Sequence, residues 1–388
     1  EIWNSVAVLV DRDDVYGASE TDACSFFAGA THHVSVNGRS YSLASADFSS
    51  VRLLGQGGDD SVRIYGSSEA ETAVLRVGTT SLTGESHQIV ASNFEDVFVN
   101  GRGGEDRAIY YDSSGDDRFI GKSDFALLDG EGFSHIVRGF EDVLAMANEG
   151  GNDRAIFYDS IGNDRFLARP DYSLLEGDGF YNFASGFDNV VALATAGGDD
   201  QAVFYDSVGD DRFIAKTANA FMDGDSFYNY ASGFGKYLAI SNAGGSDSAV
   251  LYDSLGNDQF VARPDNALLH GESFYSYVRG FSSVSAIASE GTDKAIFFDS
   301  AGDDRFIGRP DYSMLDGAGF SNLARGFDTV NAIASAGGSD LAILFGSSGN
   351  DRFLGHREFS CLAGDGFMTV AKGFETARPI GNSGGKHS

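Results

Sequence analysis

A repeat of 46 or 47 residues runs through the chain and constrains its fold more than any other feature. One phenylalanine marks every repeat, at Phe48, Phe94, Phe140, Phe187, Phe234, Phe281, Phe327 and Phe374. A second phenylalanine series comprises Phe119, Phe166, Phe213, Phe260, Phe306 and Phe353, and an aspartate series comprises Asp112, Asp159, Asp206, Asp253 and Asp299 before it ends at Gly346. Periods of this length are typical of solenoids, propellers and repeat arrays.

The repeats fall into two groups. Residues 1–103 hold two degenerate repeats, and residues 104–380 hold six regular ones, such as the repeat that begins GDDQAVFYDSVGDDRF at Gly198. We therefore predict a single β-repeat domain over residues 1–380. The tail GNSGGKHS, residues 381–388, contains no core residues and is predicted to be flexible.

The local pattern within each repeat is that of β-strands. A typical repeat contains about five short runs rich in β-branched and aromatic residues, for example AVFYD, RFIAK, AFMDG, FYNYA and YLAIS, separated by Gly, Asn, Asp or Ser. No run shows a helical period. The chain is therefore predicted to be all-β.

Two all-β architectures fit a repeat of this length. We predict a right-handed parallel β-helix of eight repeats, with about 23 residues per coil, in which like residues stack in ladders between coils. The alternative is an eight-bladed β-propeller, in which each repeat is one blade. A disulfide between Cys24 and Cys361 would favour the closed ring, because these residues belong to the first and last repeats.

Composition limits the partners of the chain. Its formal net charge is -30, which opposes binding to nucleic acid or anionic membranes. No apolar run is long enough to span a bilayer, so membrane insertion is not expected. The first residue is Glu1 rather than Met, which is consistent with removal of an export signal. We expect a secreted, monomeric protein.

Two phrases carry a resemblance to known sequences. YDSIGNDRF (158–166) and GFYNFASGF (179–187), repeated at this spacing, resemble tandem tracts in large secreted proteins of planctomycete-type bacteria. The resemblance implies an exported solenoid; such tracts accompany both polysaccharide-active and adhesive proteins, so it implies no single reaction. The chain also resembles, weakly, the parallel β-helix polysaccharide lyases, an analogy of fold.

The Gly-Asp-Asp and Gly-Asn-Asp turns permit two interpretations. Oxygen ligands from adjacent turns could form a calcium site, with Asp210, Asp211 and Asp258 as candidates. Alternatively, the carboxylates accept backbone hydrogen bonds and hold the bend, with the following Arg neutralising the second acid. The turns resemble the calcium-binding nonapeptide repeat, but its G-G-x-G-x-D spacing is absent and G-N-D recurs after eleven residues rather than nine.

A basic column occupies one position of the regular repeats. It comprises Lys122, Arg169, Lys216, Arg263, Arg309 and Arg357. Most members have an Asp two residues later, so surface ion pairs of small energetic value are one interpretation. The other is a groove that binds the carboxylates or sulfates of an acidic polymer.

The central repeats depart from this pattern. Lys216 has Ala218 where its sisters have Asp, and His270 replaces the acid found at Asp129, Glu176, Asp223 and Asp316. Tyrosines occupy positions at which the other repeats hold Phe, Ser, His, Leu or Val. These features predict a site with catalytic Lys216, His270, Tyr228 and Tyr230 and with substrate-binding Arg169, Arg263, Tyr181, Tyr275, Tyr277 and Arg212. Alternatively, the tyrosines fill core positions and His270 is a solvated turn residue.

The predicted function is cleavage of an acidic, uronate-containing polysaccharide by β-elimination. This reaction needs a cation at the carboxylate, a base for the C5 proton and an acid for the leaving oxygen. Arg169, Lys216 or Arg263 would supply the cation. The base would be His270, a tyrosine or, if it is buried, Lys216, and a tyrosine would be the acid. A non-catalytic scaffold or adhesion module, stiffened by calcium, is the main alternative; a glycoside hydrolase with paired carboxylates is a third. No cofactor is required, although calcium fits the acidic turns.

Overall fold

The structure, a computed structural model, describes residues 14–17 and 20–381, so nearly all of the predicted flexible tail lies outside the described residues. Within this range the chain is all-β and forms a β-solenoid of stacked coils, which confirms the predicted fold class. None of the described residues belongs to a helix long and apolar enough to cross a membrane.

The chain divides into two compact bodies. The N-terminal body contains Glu1–Leu167 and Asp171–Gly198, and the C-terminal body contains Ala168–Pro170 and Asp199–Ser388. The prediction of one domain over residues 1–380 stays a prediction.

The N-terminal body carries the first twenty strands. They are β1 (Asp14–Tyr16), β2 (Ala23–Phe27), β3 (Thr31–Val36), β4 (Arg39–Ala44), β5 (Ser50–Leu54), β6 (Ser61–Tyr65), β7 (Thr72–Arg76), β8 (Thr79–Thr83), β9 (Gln88–Ser92), β10 (Asp96–Asn100), β11 (Arg107–Tyr111), β12 (Arg118–Gly121), β13 (Phe125–Gly130), β14 (Phe133–Arg138), β15 (Asp142–Met146), β16 (Arg154–Tyr158), β17 (Arg165–Ala168), β18 (Tyr172–Gly177), β19 (Phe180–Ser185) and β20 (Asn189–Leu193).

The C-terminal body carries the other twenty. They are β21 (Gln201–Tyr205), β22 (Arg212–Ala215), β23 (Asn219–Gly224), β24 (Phe227–Ser232), β25 (Lys236–Ile240), β26 (Ser248–Tyr252), β27 (Gln259–Ala262), β28 (Asn266–His270), β29 (Tyr275–Arg279), β30 (Ser283–Ile287), β31 (Lys294–Phe298), β32 (Arg305–Gly308), β33 (Tyr312–Gly317), β34 (Phe320–Arg325), β35 (Thr329–Ile333), β36 (Leu341–Phe345), β37 (Arg352–Gly355), β38 (Phe359–Gly364), β39 (Phe367–Lys372) and β40 (Thr376–Ile380).

Each body consists of two sheets. In the C-terminal body, sheet C1 contains β21, β25, β27–β29, β31, β35 and β37–β39, and sheet C2 contains β22–β24, β26, β30, β32–β34, β36 and β40. In the N-terminal body, sheet N1 contains β1, β5, β7–β9, β11, β15 and β17–β19, and sheet N2 contains the remaining strands.

Each coil contains more residues than we predicted from the length of the sequence repeat. Parallel partners lie 35 residues apart at Gln201 and Lys236, and 39 residues apart at Lys236 and Tyr275, rather than the expected 23 or so. Between these parallel strands, each repeat inserts a three-stranded antiparallel meander, such as β22–β23–β24. The meander accounts for the mixture of parallel and antiparallel pairing within one sheet.

One repeat crosses between the two sheets three times. It places a single strand (β21) in C1, a meander (β22–β24) in C2 and a single strand (β25) back in C1; the next repeat begins in C2 with β26. Three is an odd number, so equivalent residues of successive repeats alternate between the sheets. The expected ladders of like residues in neighbouring coils are therefore not formed.

The core lies between the two sheets of each body. Strands alternate between inward and outward side chains: in β26, Ala249 and Leu251 point inward and are buried, as expected for a strand with one covered face. Phe213 of C2 is fully buried and packs against Phe204 of C1 with ring centroids 5.4 Å apart. The repeated phenylalanines are thus core residues.

Both cysteines are free thiols, so the disulfide that would have favoured a closed ring is absent. Cys24 is buried, and burial, together with the nearby acids Asp22 and Asp60, raises the pKa of its thiol to about 12. A thiol with such a pKa is unreactive at neutral pH.

Candidate anion-binding face and buried carboxylate triads

The outward side of sheet C1 brings together four of the predicted site residues: Arg263, His270, Tyr275 and Tyr277. They lie on or next to the adjacent strands β27, β28 and β29, and His270 pairs directly with Tyr275 in the register of β28 and β29. Strands β25 and β31 flank this group. We call the outward side of these five strands the basic face.

The outward strand positions of the basic face hold several cations and no carboxylate, but Lys236 Nζ is paired at 2.6 Å with Oδ2 of Asp199, which lies just before β21 and outside these strands. The charged side chains of this face are Lys236, Arg263, Arg279 and Lys294, together with the titratable His270. None of the outward register positions of β25, β29, β28, β27 and β31 holds Asp or Glu. In a chain with a net charge of -30, this outward surface has a local charge of the opposite sign.

A paired substitution removes a carboxylate from this face, together with the arginine that accompanies it in other repeats. In four other repeats an Arg on the first meander strand pairs with an acid on the second: Arg118–Asp129 (2.7 Å), Arg165–Glu176 (3.3 Å), Arg212–Asp223 (2.9 Å) and Arg305–Asp316 (3.4 Å). Here both members differ, and Gln259 lies opposite His270. The sequence pattern singled out His270; only the register shows that Gln259 is its partner.

The basic column is stacked on aromatic rings. The guanidinium carbon of Arg263 lies 4.6 Å from the ring centroid of Phe298, and that of Arg309 lies 3.9 Å from Phe345. The ammonium nitrogen of Lys216 lies 5.6 Å from the Tyr252 ring. Such contacts hold a cation in place on an outward surface without neutralising it.

The other predicted catalytic residues lie on sheet C2. Lys216 follows β22 and is exposed, and Tyr228 and Tyr230 are outward residues of β24. Because C1 and C2 turn their inward sides toward a common core, Lys216 and His270 face away from each other. The predicted set of Lys216, His270, Tyr228 and Tyr230 is therefore not one site, and Lys216 lacks the burial that its role as a base required.

The remaining substrate-binding candidates are also separated. Arg212 lies on C2, where its guanidinium is paired with Asp223. Tyr181 belongs to β19 of the N-terminal body, next to Glu176 and Asp142 in register. Arg169 stacks 3.9 Å from the Tyr205 ring centroid.

The acidic turns show how Asp and Asn can alternate at one position. Asp210 is exposed, and its Oδ1 accepts the backbone N–H of Ser246 at 2.7 Å; Asn257 Oδ1 accepts that of Thr292 at 2.8 Å. Both side chains supply a carbonyl-type oxygen, so charge is not needed there. The predicted neutralisation of the second acid is wrong for Asp211, because the following Arg212 pairs with Asp223 instead.

The second acid of the turn belongs to a buried carboxylate triad. We define a triad as three Asp side chains whose carboxylate oxygens lie within 4.8 Å of one another; the described residues contain Asp112/Asp117/Asp153, Asp206/Asp211/Asp247, Asp253/Asp258/Asp293 and Asp299/Asp304/Asp340. Two of the calcium candidates, Asp211 and Asp258, are members, whereas Asp210 is not.

The triad of Asp206, Asp211 and Asp247 lies where the chain passes between C1 and C2. Asp211 Oδ2 accepts the backbone N–H of Ser207 at 2.7 Å, and Asp247 Oδ1 accepts the backbone N–H of Asp211 at 2.7 Å. These bonds fix both carboxylates against the turn. Asp247 comes from 36 residues further along the chain, and nothing in the local pattern indicated its role.

Burial makes charge costly in these triads. Burial, opposed by the hydrogen bonds from Ser207 and reinforced by the charges of Asp247 and Asp206, raises the pKa of Asp211. The pKa of Asp293 rises to about 6 for similar reasons. A group of buried carboxylates is stable only if a shared proton or a bound cation offsets its negative charge.

An inward polar column is another feature that the sequence pattern did not reveal. Asn182, Asn229 and Asn322 are buried, and each donates a side-chain hydrogen bond to the backbone carbonyl of a basic-column residue: Lys122, Arg169 and Arg263 respectively. The partners are 59 or 60 residues apart, beyond the range of a local motif.

No protein-family model matches the chain, and no curated protein sequence matches it.

Proposed function

We propose that the chain is a secreted polysaccharide-binding β-solenoid that holds an anionic, uronate-containing polymer on the basic face. The observation that supports this most directly is the clustering of Arg263, Arg279 and Lys294 on or next to strands whose outward positions hold no acid, with Lys236, paired to Asp199, at the edge of the cluster. Lys236 and Lys294 are four strand spacings apart, roughly 19 Å, so an extended polymer can contact several cations at once.

The aromatic residues of this face add a second element of recognition. Tyr275 is exposed, and Tyr277 and Phe298 are half-buried outward residues between the cations. Exposed rings can pack against the apolar face of a sugar, and their hydroxyls can hydrogen-bond to it. Cations that meet carboxylates and rings that meet sugar faces together favour an acidic polysaccharide over a neutral one.

Substitution of one cation tests the proposal. Arg279 is the last residue of β29, and the equivalent meander strands β19 and β24 end at Ser185 and Ser232. Arg279→Ser therefore introduces a residue that other repeats already hold, and we expect affinity for polygalacturonate or alginate to fall about threefold, the effect of one exposed cation. Arg325→Ser is the matched control, because Arg325 ends the equivalent strand, β34, on sheet C2. Calorimetric titration with both variants measures the difference.

Two results would contradict this proposal. One is an equal loss for Arg279→Ser and Arg325→Ser, since binding would then follow net charge rather than the basic face. The other is equally tight binding of a neutral glucan. Rising NaCl should weaken binding of the acidic polymers, because salt screens exposed charges.

A second candidate function, β-elimination on the same face, is favoured by the direct pairing of His270 with Tyr275. His270 would remove the C5 proton, Tyr275 would protonate the leaving oxygen, and Arg263 or Arg279 would neutralise the uronate carboxylate. Incubation with uronate polymers should then produce ultraviolet absorbance from the new C=C bond, and His270→Asn should abolish it while binding persists. A flat trace from folded protein rules out this reaction for the polymers used.

A further inference from the structure

The carboxylate triads carry an inference that is independent of the basic face. In the triad of Asp206, Asp211 and Asp247, all three residues are at least 95% buried. Among the described residues, no Lys, Arg or His side chain forms an ion pair with them; the adjacent Arg212 pairs with Asp223. The turn therefore gathers three carboxylates without a protein cation.

One oxygen in this triad has no partner. Asp206 Oδ2 accepts the backbone N–H groups of Asn242 and Ala243, both at 2.9 Å. Asp206 Oδ1 is buried and accepts no hydrogen bond. A buried carboxylate oxygen without a donor is costly, so this atom requires a ligand that the protein does not supply.

We propose that the carboxylate triads bind Ca²⁺, with Asp206, Asp211 and Asp247 as the ligands of one such site. Two oxygens that each lie about 2.4 Å from a Ca²⁺ ion, the distance that it prefers, are at most about 4.8 Å apart, and the ligand oxygens of each triad lie within 4.8 Å of one another. The shorter bonds of Mg²⁺, about 2.1 Å, require a tighter set of oxygens. The soft ligands that select transition metals are absent from the triad.

Among the described residues, triads occur in four of the six regular repeats, which gives the proposal a countable consequence. Four triads are present among the described residues, and the last repeat lacks one because Gly346 stands in the position of Asp206. Each triad joins a turn to the start of a strand about 36 residues later, as the hydrogen bond from Asp211 to Asp247 shows. A cation there would tie successive coils together at their edges.

Calcium titration of the whole chain tests the proposal. Protein stripped with chelator is titrated with CaCl₂ to about 10 mM, which exceeds the dissociation constants of the weakest protein calcium sites. We expect about four equivalents to bind and the melting temperature to rise relative to the same ionic strength of NaCl. Absence of both effects would overturn the proposal and would mean that the triads are held by shared protons.

Matched variants locate the sites. Asp206→Asn keeps an acceptor for Asn242 and Ala243 and should remove one equivalent of Ca²⁺. Asp210→Asn makes the same change of charge four residues away, at a column where Asn occurs naturally, and should bind as the parent does. Equal losses in the two variants would overturn the assignment.

Asp299→Asn, in the third triad of the C-terminal body, provides a second test if Asp206→Asn fails to fold. It should also remove one equivalent of Ca²⁺. Asp351→Asn, in the repeat that lacks a triad, should remove none. A Ca²⁺ stoichiometry that is unchanged in Asp299→Asn, or that falls in Asp351→Asn, would contradict the proposal.

Discussion

At the scale of single residues, a glycine in the meander of each regular repeat leaves room for the second acid of the Gly-Asp-Asp or Gly-Asn-Asp turn. A Cβ atom added at Gly224 would collide with Asp211 Oδ1 and with the ring of Phe227. Both groups are buried and cannot move aside without breaking the turn. The same contact recurs at Gly130, Gly177, Gly271, Gly317 and Gly364.

We therefore expect Gly224→Ala to destabilise the protein by about 2 kcal/mol, the usual cost of overpacking. Gly235→Ala is the control, because a Cβ atom there meets no atom within 4 Å. Chemical denaturation of both variants measures the difference. Similar unfolding midpoints would show that Asp211 can move away from its turn.

A second residue-scale prediction concerns His135, which is fully buried with neither ring nitrogen hydrogen-bonded. Burial lowers its pKa from 6.5 to about 4, so the folded protein binds fewer protons than the unfolded chain between these values. The stability contribution of the neutral ring is present above pH 6.5 and is lost as pH falls toward 4, by about 3 kcal/mol in all.

His135→Asn should remove this dependence, because the same column holds buried Asn at Asn182, Asn229 and Asn322. The measurement is the free energy of unfolding of both proteins from pH 7 to pH 4. The parent should lose about 3 kcal/mol more than the variant over this range. Parallel curves would show that His135 becomes protonated without unfolding.

At the scale of the strand pair, the exchange of an ion pair for Gln259 and His270 distinguishes the basic face. The double variant Gln259→Arg with His270→Asp restores the pair that Arg212 and Asp223 form on C2. Stability should change by less than about 1 kcal/mol, because exposed ion pairs contribute little. Affinity for an acidic polysaccharide should fall, because a carboxylate now lies among the cations.

The reverse exchange, Arg212→Gln with Asp223→His, alters C2 only and is the control for this variant. It should leave the affinity of the basic face unchanged. Thermal melts and polymer titrations of the two double variants measure both quantities. A larger loss of affinity from the C2 exchange would move the binding site to the opposite sheet.

At the scale of the whole molecule, the net charge of -30 opposes folding through repulsion among carboxylates. NaCl screens this repulsion, so the melting temperature should rise with ionic strength. The salt series also provides the baseline against which a specific effect of Ca²⁺ is measured. A melting temperature that falls with NaCl would mean that attractive ion pairs, such as Arg212–Asp223, outweigh the net repulsion.

Much of this protein follows from its sequence alone. The period, the strands, the burial of the repeated phenylalanines and the acidic turns are local properties, because side-chain alternation and turn chemistry depend on neighbouring residues. The sequence also singled out His270, Arg263, Tyr275 and Tyr277, which the structure brings to one face.

Only the tertiary structure decided which residues meet. Three sheet crossings per repeat place Lys216 and His270 on opposite sheets, the antiparallel pairing of β27 with β28 brings Gln259 opposite His270, and coils of 35 to 39 residues bring Asp247 against Asp211. Strand pairing is a long-range choice made by backbone hydrogen bonds, and a repeat in the sequence does not specify it. For this reason the site predicted along a column of the repeat divides between two sheets.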